Sequence, residues 1–172
     1  MKLRPDLSTV PEFEIPYVTC VPEGDLIELL MGQKDKTLAL LSGLSEDQAS
    51  FRYAPDKWSI RQVIGHITDN ERIMGYRLLR IARGDQTELP GYDENLLVAG
   101  APFDEWSLEF ALADYAAVRE STLTLLRGLR LGDWEREGVA NGLRHTALLI
   151  ASVISGHELH HLKVLRARYG VV

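Results

Sequence analysis

Apolar residues recur at helical spacing over four long stretches of the chain, and this pattern predicts four helices. The first covers residues 24–44, where Leu26, Ile27, Leu30, Leu38, Leu41 and Leu44 line one face and Gly32 weakens the middle. The second runs from Ser59, a natural N-cap, to Arg83, with Gly84 as its stop. The third spans 104–129 with Asp104 as the expected cap, and the fourth spans 145–169, ended by Gly170. Between the first two, Ser45-Glu46-Asp47-Gln48 reads as a short capped turn. No stretch alternates convincingly with the period of a strand, and Gly138, Asn141 and Gly142 simply break the chain before the last helix.

Four amphipathic helices in 172 residues argue for one all-α domain, a four-helix bundle over residues 23–172. Residues 1–22 carry four of the seven prolines, Pro5, Pro11, Pro16 and Pro22, and read as an extended N-terminal arm rather than a helix. Phe13, Ile15, Tyr17 and Val18 would hold that arm on the body. The connection between helices two and three, residues 85–103, is far longer than the ~2–8 residues that antiparallel neighbours need. Its length suits a crossover that leaves helices two and three parallel.

Composition narrows the function classes. Hydrophobic residues at 45% and charged residues at 26% are ordinary for a globular protein. Acidic residues outnumber Lys and Arg by 25 to 19, so the net charge is −6 and the basic footprint of a nucleic-acid binder is absent. The longest apolar run, 147–151, is much shorter than a membrane span, and the first residues lack a signal-peptide core. A single cysteine, Cys20, forms no internal disulfide and has no basic or histidine neighbour in sequence to activate it. The setting expected from this cysteine usage is cytoplasmic.

Chemistry concentrates in the histidines. Three of the five, His157, His160 and His161, lie within five residues on the fourth helix. His157 and His161 are four apart and stack on one face, together with Ile150, Val153, Ile154, Val164 and Leu165. His160 falls at the edge of that arc. His66 lies at the border of the buried face of the second helix. Two imidazoles from one helix and a third from a neighbour can converge in a bundle core, and three neutral nitrogens with an open position is the arrangement of catalytic zinc sites. Such a pair also arises by chance, and an inward His is commonly a hydrogen-bonded core residue. Residues 157–161 match HExxH literally, which makes Glu158 a candidate base.

Three segments together carry a resemblance. The first runs from Tyr53 through Trp58-Ser59 to Gly65-His66. The second is Glu71 to Arg77, and the third runs from Ser155-Gly156-His157 through His160-His161 to Tyr169. They are similar to the DinB-like (YfiT-like) superfamily of bacterial metal-binding bundles. The resemblance implies an up-down-down-up bundle, metal ligands at His66, His157 and His161, and a homodimer. It makes a zincin reading secondary, because the third ligand lies far upstream on another helix. Members include thiol S-transferases that use bacillithiol, mycothiol-dependent isomerases, and proteins regarded as hydrolases because they hold a metal. Membership therefore leaves the reaction type open.

Other residues enter as weaker candidates. Glu71 lies on the apolar arc of helix two and needs a partner, either a ligand imidazole or a buried Arg. Arg77 and Arg168 lie on the histidine-bearing faces and would either bind an anionic substrate group or snorkel to solvent. Asp93, in the loop Tyr92-Asp93-Glu94, would either cover the mouth of the site or be solvated. Trp58, Trp106 and Trp134 read as core and bundle-end packing. Leu148, Leu159 and Leu162 lie opposite the histidine arc and predict an apolar face free for the arm or a second copy. The expected function is a metal-dependent enzyme on a small molecule, a low-molecular-weight-thiol S-transferase or a hydrolase, with zinc or nickel suiting imidazole. The alternative is a non-catalytic metal- or ligand-binding stress-response protein.

Overall fold

A computed structural model describes residues 4–172. Residues 1–3 of the expected arm, and with them the start of the leader reading, lie outside the described residues. The helices are α1 (Ile15–Cys20), α2 (Leu26–Leu41), α3 (Glu46–Ala49), α4 (Ile60–Ala82), α5 (Glu94–Gly100), α6 (Leu108–Arg127) and α7 (Ala147–Tyr169). Two short strands, β1 (Glu137–Ala140) and β2 (Leu143–Thr146), pair as an antiparallel hairpin.

α2, α4, α6 and α7 form the bundle. Each starts where a side chain satisfies orphan backbone N–H groups. Asp25 accepts from Ile27 and Glu28, and Ser59 forms a capping box with Gln62. Ser107 accepts from Phe110, and Thr146 accepts from Leu149. The third helix therefore begins at Ser107 rather than Asp104, which instead accepts from Ser59 Oγ and pairs with Arg52. The fourth begins at Thr146, leaving His145 on β2.

Two apolar clusters fix the directions of the helices. One joins Leu26 and Leu30 with Leu78 and Ile81, Leu123 and Leu126, and Leu149 to Ile154. The other joins Leu41 with Ile60 to Ile67, Leu108 to Tyr115, and Leu162 and Leu165. α2 and α7 thus run one way, and α4 and α6 the other. This is the up-down-down-up bundle, with the crossover between α4 and α6.

Three expectations need correction. The arm is not wholly extended, because Ile15–Cys20 is helical, with Pro16 in the first turn where its missing N–H costs nothing. The break before the last helix is a hairpin whose Asn141 and Gly142 both have positive φ, 54° and 72°, the geometry of a tight two-residue turn. Its four-residue strands are too short to show a period. Leu148 and Leu162 are covered within this one chain: Leu148 lies in the first cluster together with Val10, Val18 and Val21 of the arm, one of its two expected coverings, whereas Leu162 faces the second cluster of the core.

α1 lies against α7 at extreme proximity. A Cβ on Gly156 would stand 2.0 Å from the Tyr17 carbonyl oxygen. A Cβ on Gly65 would stand 2.5 Å from the Phe103 ring. Each glycine immediately precedes a histidine of the triad. Both are glycine because a neighbouring segment occupies the space of a side chain.

Candidate metal centre

α4 carries His66, and α7 carries His157 and His161, to one point near the wall of the bundle. His66 Nε2 lies 3.0 Å from His157 Nε2, and His161 Nε2 lies 3.2 Å from His157 Nε2. The ligand atoms of all three lie within 4.8 Å of one another. The rings meet edge to face, with centroids 4.5–4.8 Å apart. Three nitrogens about 2.0–2.1 Å from a tetrahedral ion stand about 3.3 Å from each other, so the nitrogen set fits a divalent ion. Among the described residues no fourth His, Cys, Asp or Glu joins the group.

Burial keeps the triad in its ligating, neutral form. His66 is pushed down to about 4 by burial, opposed by the nearby Glu94 carboxylate. His161 is pushed down to about 3 by burial and then by His66 and His160. His157 is held well below the ordinary imidazole range by burial first and by the other histidines second. Aromatic walls set the ring positions: Trp58 packs on His66, and Tyr17 packs edge-on against His157 and His160.

The triad lines a cleft of about 300 Å³. The wall also holds Glu14, Tyr17, Asn70, Arg77, Tyr92, Glu94 and His145. Asn70 donates to the Tyr92 hydroxyl at 2.6 Å. Arg77 is 5% exposed, donates to the Pro90 carbonyl at 2.7 Å, and lies over the Tyr92 ring. Burial lowers its pKa, and among the described residues no carboxylate forms a salt bridge with it.

The other sequence candidates lie elsewhere. Glu71 and Glu158 are both buried but are not part of the cleft. Arg119, fully buried, makes a two-pronged bond to Glu71, at 2.8 and 2.7 Å, and donates to Glu158 at 2.6 Å. Glu158 also accepts from Thr37, Tyr115 and Gln33. A carboxylate with four donors in the middle of the bundle is held by structure and has no reach to the histidine cleft. Asp93 is exposed and caps α5, whereas its neighbour Glu94 lines the cleft. Arg168 is exposed in the last turn of α7 and lies off the cleft. Sequence reasoning missed Glu14, Tyr17, Asn70 and the placement of His145. The signal for a tight turn beside His145, Asn141-Gly142, was present in the chain.

The sequence matches the family model of the DinB superfamily over residues 30–165. The chain belongs to the DinB superfamily. The DinB assignment agrees with two solved structures. One is YfiT from Bacillus subtilis, described as a probable metal-dependent hydrolase with an unusual four-helix bundle topology. It is 20% identical, with a TM-score of 0.66 over 99% of this chain and 95% of that one. The other is a DinB-like protein, YjoA, also from Bacillus subtilis. It is 19% identical, with a TM-score of 0.61 over 86% of this chain and 90% of that one. No curated protein matches the sequence. At these identities the two structures speak for the fold. No helix among the described residues is long and apolar enough to cross a membrane.

Proposed function

We propose that the chain is a metal-dependent enzyme acting on a small molecule, with one divalent ion, zinc or nickel, held by His66, His157 and His161. The observation that supports this reading is the convergence of three neutral imidazoles, two buried and one half-buried, on a cleft with no fourth protein ligand in the group among the described residues. A structural site closes its coordination sphere with protein, whereas a catalytic one keeps a position open. Such an ion supplies undiminished positive charge, which lowers the pKa of a bound water or thiol.

The chain's own residues suit a substrate with an anionic group. Arg77 is a desolvated cation that Glu14 balances only through space, with no salt bridge among the described residues, and an anion in the cleft would supply a direct partner. Trp58 and Tyr17 line the cleft beside the histidines. The reaction class is hydrolysis or transfer of a low-molecular-weight thiol, in the reducing interior of the cell. The preference for a thiol comes from the family resemblance. So does the homodimer, which light scattering decides.

The test is elemental analysis of untagged protein, followed by a panel of bacillithiol, mycothiol and glutathione with a generic electrophile, beside esters and amides. Activity that follows metal content and disappears in His66→Ala supports the enzyme. A metal-loaded protein inert on every substrate, with a fourth protein ligand closing the sphere, favours the binding-protein alternative.

A further inference from the structure

α4 lays one row of side chains along the cleft. His66, Asn70, Met74 and Arg77 follow each other at intervals of four, four and three residues, so they share one face. At about 1.5 Å of rise per residue, Asn70 stands about 6 Å along the axis from His66 of the triad. Tyr92 faces this row from the crossover. Its hydroxyl oxygen lies 2.6 Å from Asn70 Nδ2, and the Arg77 guanidinium lies over its ring, 5.4 Å from the centroid. The Tyr92 hydroxyl is therefore tied to a side chain one helical turn from a triad imidazole.

The backbone holds Tyr92 in that place. Leu89 N donates to the Val139 carbonyl and Asn141 N donates to the Leu89 carbonyl, both at 2.9 Å, so the crossover is stitched to the hairpin. A Cβ on Gly91 would stand 2.1 Å from Asn141 Oδ1, and glycine is what lets the segment lie this close. The Pro90 carbonyl accepts from Arg77. Residues 89–92 thus present the phenol to the cleft from a fixed support.

The Tyr92–Asn70 pair keeps an unspent donor. With Asn70 Nδ2 donating, the phenol oxygen accepts, and its own hydrogen has no acceptor among the described residues. With the amide turned over, the phenol donates to Oδ1 and both amide hydrogens are left. Either way at least one O–H or N–H is free, on two side chains that line the cleft. Tyr92 is half-buried, and burial pushes its phenol up from the ordinary value, so the hydrogen stays on oxygen at neutral pH. Such a donor, with a cation over its ring, suits an acceptor oxygen that carries negative charge. Among the described residues Arg77 is the one Lys or Arg of the cleft wall, set against the carboxyl groups of Glu14 and Glu94. That balance favours one added negative charge, a carboxylate, over the two of a phosphate monoester.

We propose that Tyr92 and Asn70 position the substrate by a hydrogen bond to a carboxylate, and that the substrate is a small carboxylate whose reacting atom stands about one helical turn from that group. The proposal rests on the metal-centre reading above and narrows it. Arg77 supplies the opposite charge, and the Tyr92–Asn70 pair sets the distance and direction from the triad.

The probes are 3-mercaptopropionate and 1-propanethiol. Their thiols can ligate zinc, and they differ in having a carboxylate or a methyl group at the far end. Two methylenes separate sulfur from carboxylate, a span comparable to one helical turn of ~5.4 Å. Titration calorimetry of zinc-loaded protein gives the ratio of the two dissociation constants. We expect wild type to favour 3-mercaptopropionate about tenfold, and Tyr92→Phe with Asn70→Leu to lose at least threefold of that preference with the propanethiol affinity unchanged. Tyr92→Phe alone, which keeps the ring under Arg77, and Asn70→Leu alone fall between. Zinc content and melting temperature verify that each variant is folded and loaded. No preference in wild type, the full preference in the double variant, or an equal loss for both thiols overturns this proposal alone. Failure of both thiols to bind zinc-loaded wild type, or undiminished binding in His157→Ala, overturns the metal-centre reading and this proposal with it.

Discussion

Replacing Arg119 tests the polar centre of the bundle. Arg119→Met keeps most of the volume and removes the charge. It deletes the two-pronged bond to Glu71, the bond to Glu158 and a bond to the Leu30 carbonyl at 3.1 Å. Two carboxylates, 2% and 0% exposed, then remain buried without their shared cation. Breaking a buried pair from one side costs about 3–5 kcal/mol, because the surviving charge stays desolvated. For a domain of this size each kcal/mol shifts the melting temperature by about 2–4 °C, so the expected fall is about 6–20 °C. Differential scanning calorimetry of metal-free protein at pH 7 measures it. The double variant Arg119→Met with Glu71→Gln should recover part of the loss, since one of the two stranded charges is gone. A fall below about 2 °C for Arg119→Met would refute the reasoning, because it would mean that the two carboxylates are not ionised partners of the guanidinium.

Three further outcomes are expected. The metal-free protein should lose stability as pH falls, because His66 at about 4 lies below its ordinary 6.5, so the unfolded chain binds its proton first. That contribution is complete above about 6.5 and is lost as pH falls through about 4, with about 2 kcal/mol gone between pH 7 and 5; urea melts of wild type showing the same pH slope as His66→Gln would contradict it. Gly156→Ala should force α1 off α7, raising hydrogen exchange in residues 15–20 and costing about 1–3 kcal/mol or more by overpacking; unchanged exchange and melting would contradict the close approach. Arg77→Met should leave the melting temperature within a few degrees, since it breaks no salt bridge, yet weaken anionic substrates of the panel selectively by raising KM; an equal effect on neutral and anionic substrates would remove Arg77 from anion recognition.

Much of the scaffold was legible from local pattern. The apolar spacing of α2, α4, α6 and α7, with Ser59 as a cap and Gly170 as a left-handed stop, is information carried within a few turns of each helix. The pairing of His157 with His161 on one face is likewise a consequence of helical geometry alone. That His66 joins them came from a resemblance. Spacing within one helix says nothing about which neighbour faces it.

Tertiary structure decided the rest, because it concerns partners that lie far apart along the chain. Glu71 lies on an apolar arc and calls for a partner that the sequence does not name, and only the meeting of α4, α6 and α7 joins it with Arg119 and Glu158 in one buried network. Glu14 lies in a proline-rich arm, and His145 in a stretch that seemed mere punctuation. They meet because a two-residue turn folds β2 back and because Gly156 admits α1 against α7. The identity of residues 65 and 156 is written in the sequence. The reason for it lies in segments distant along the chain, Phe103 and Tyr17, which occupy the volume where a side chain would otherwise stand.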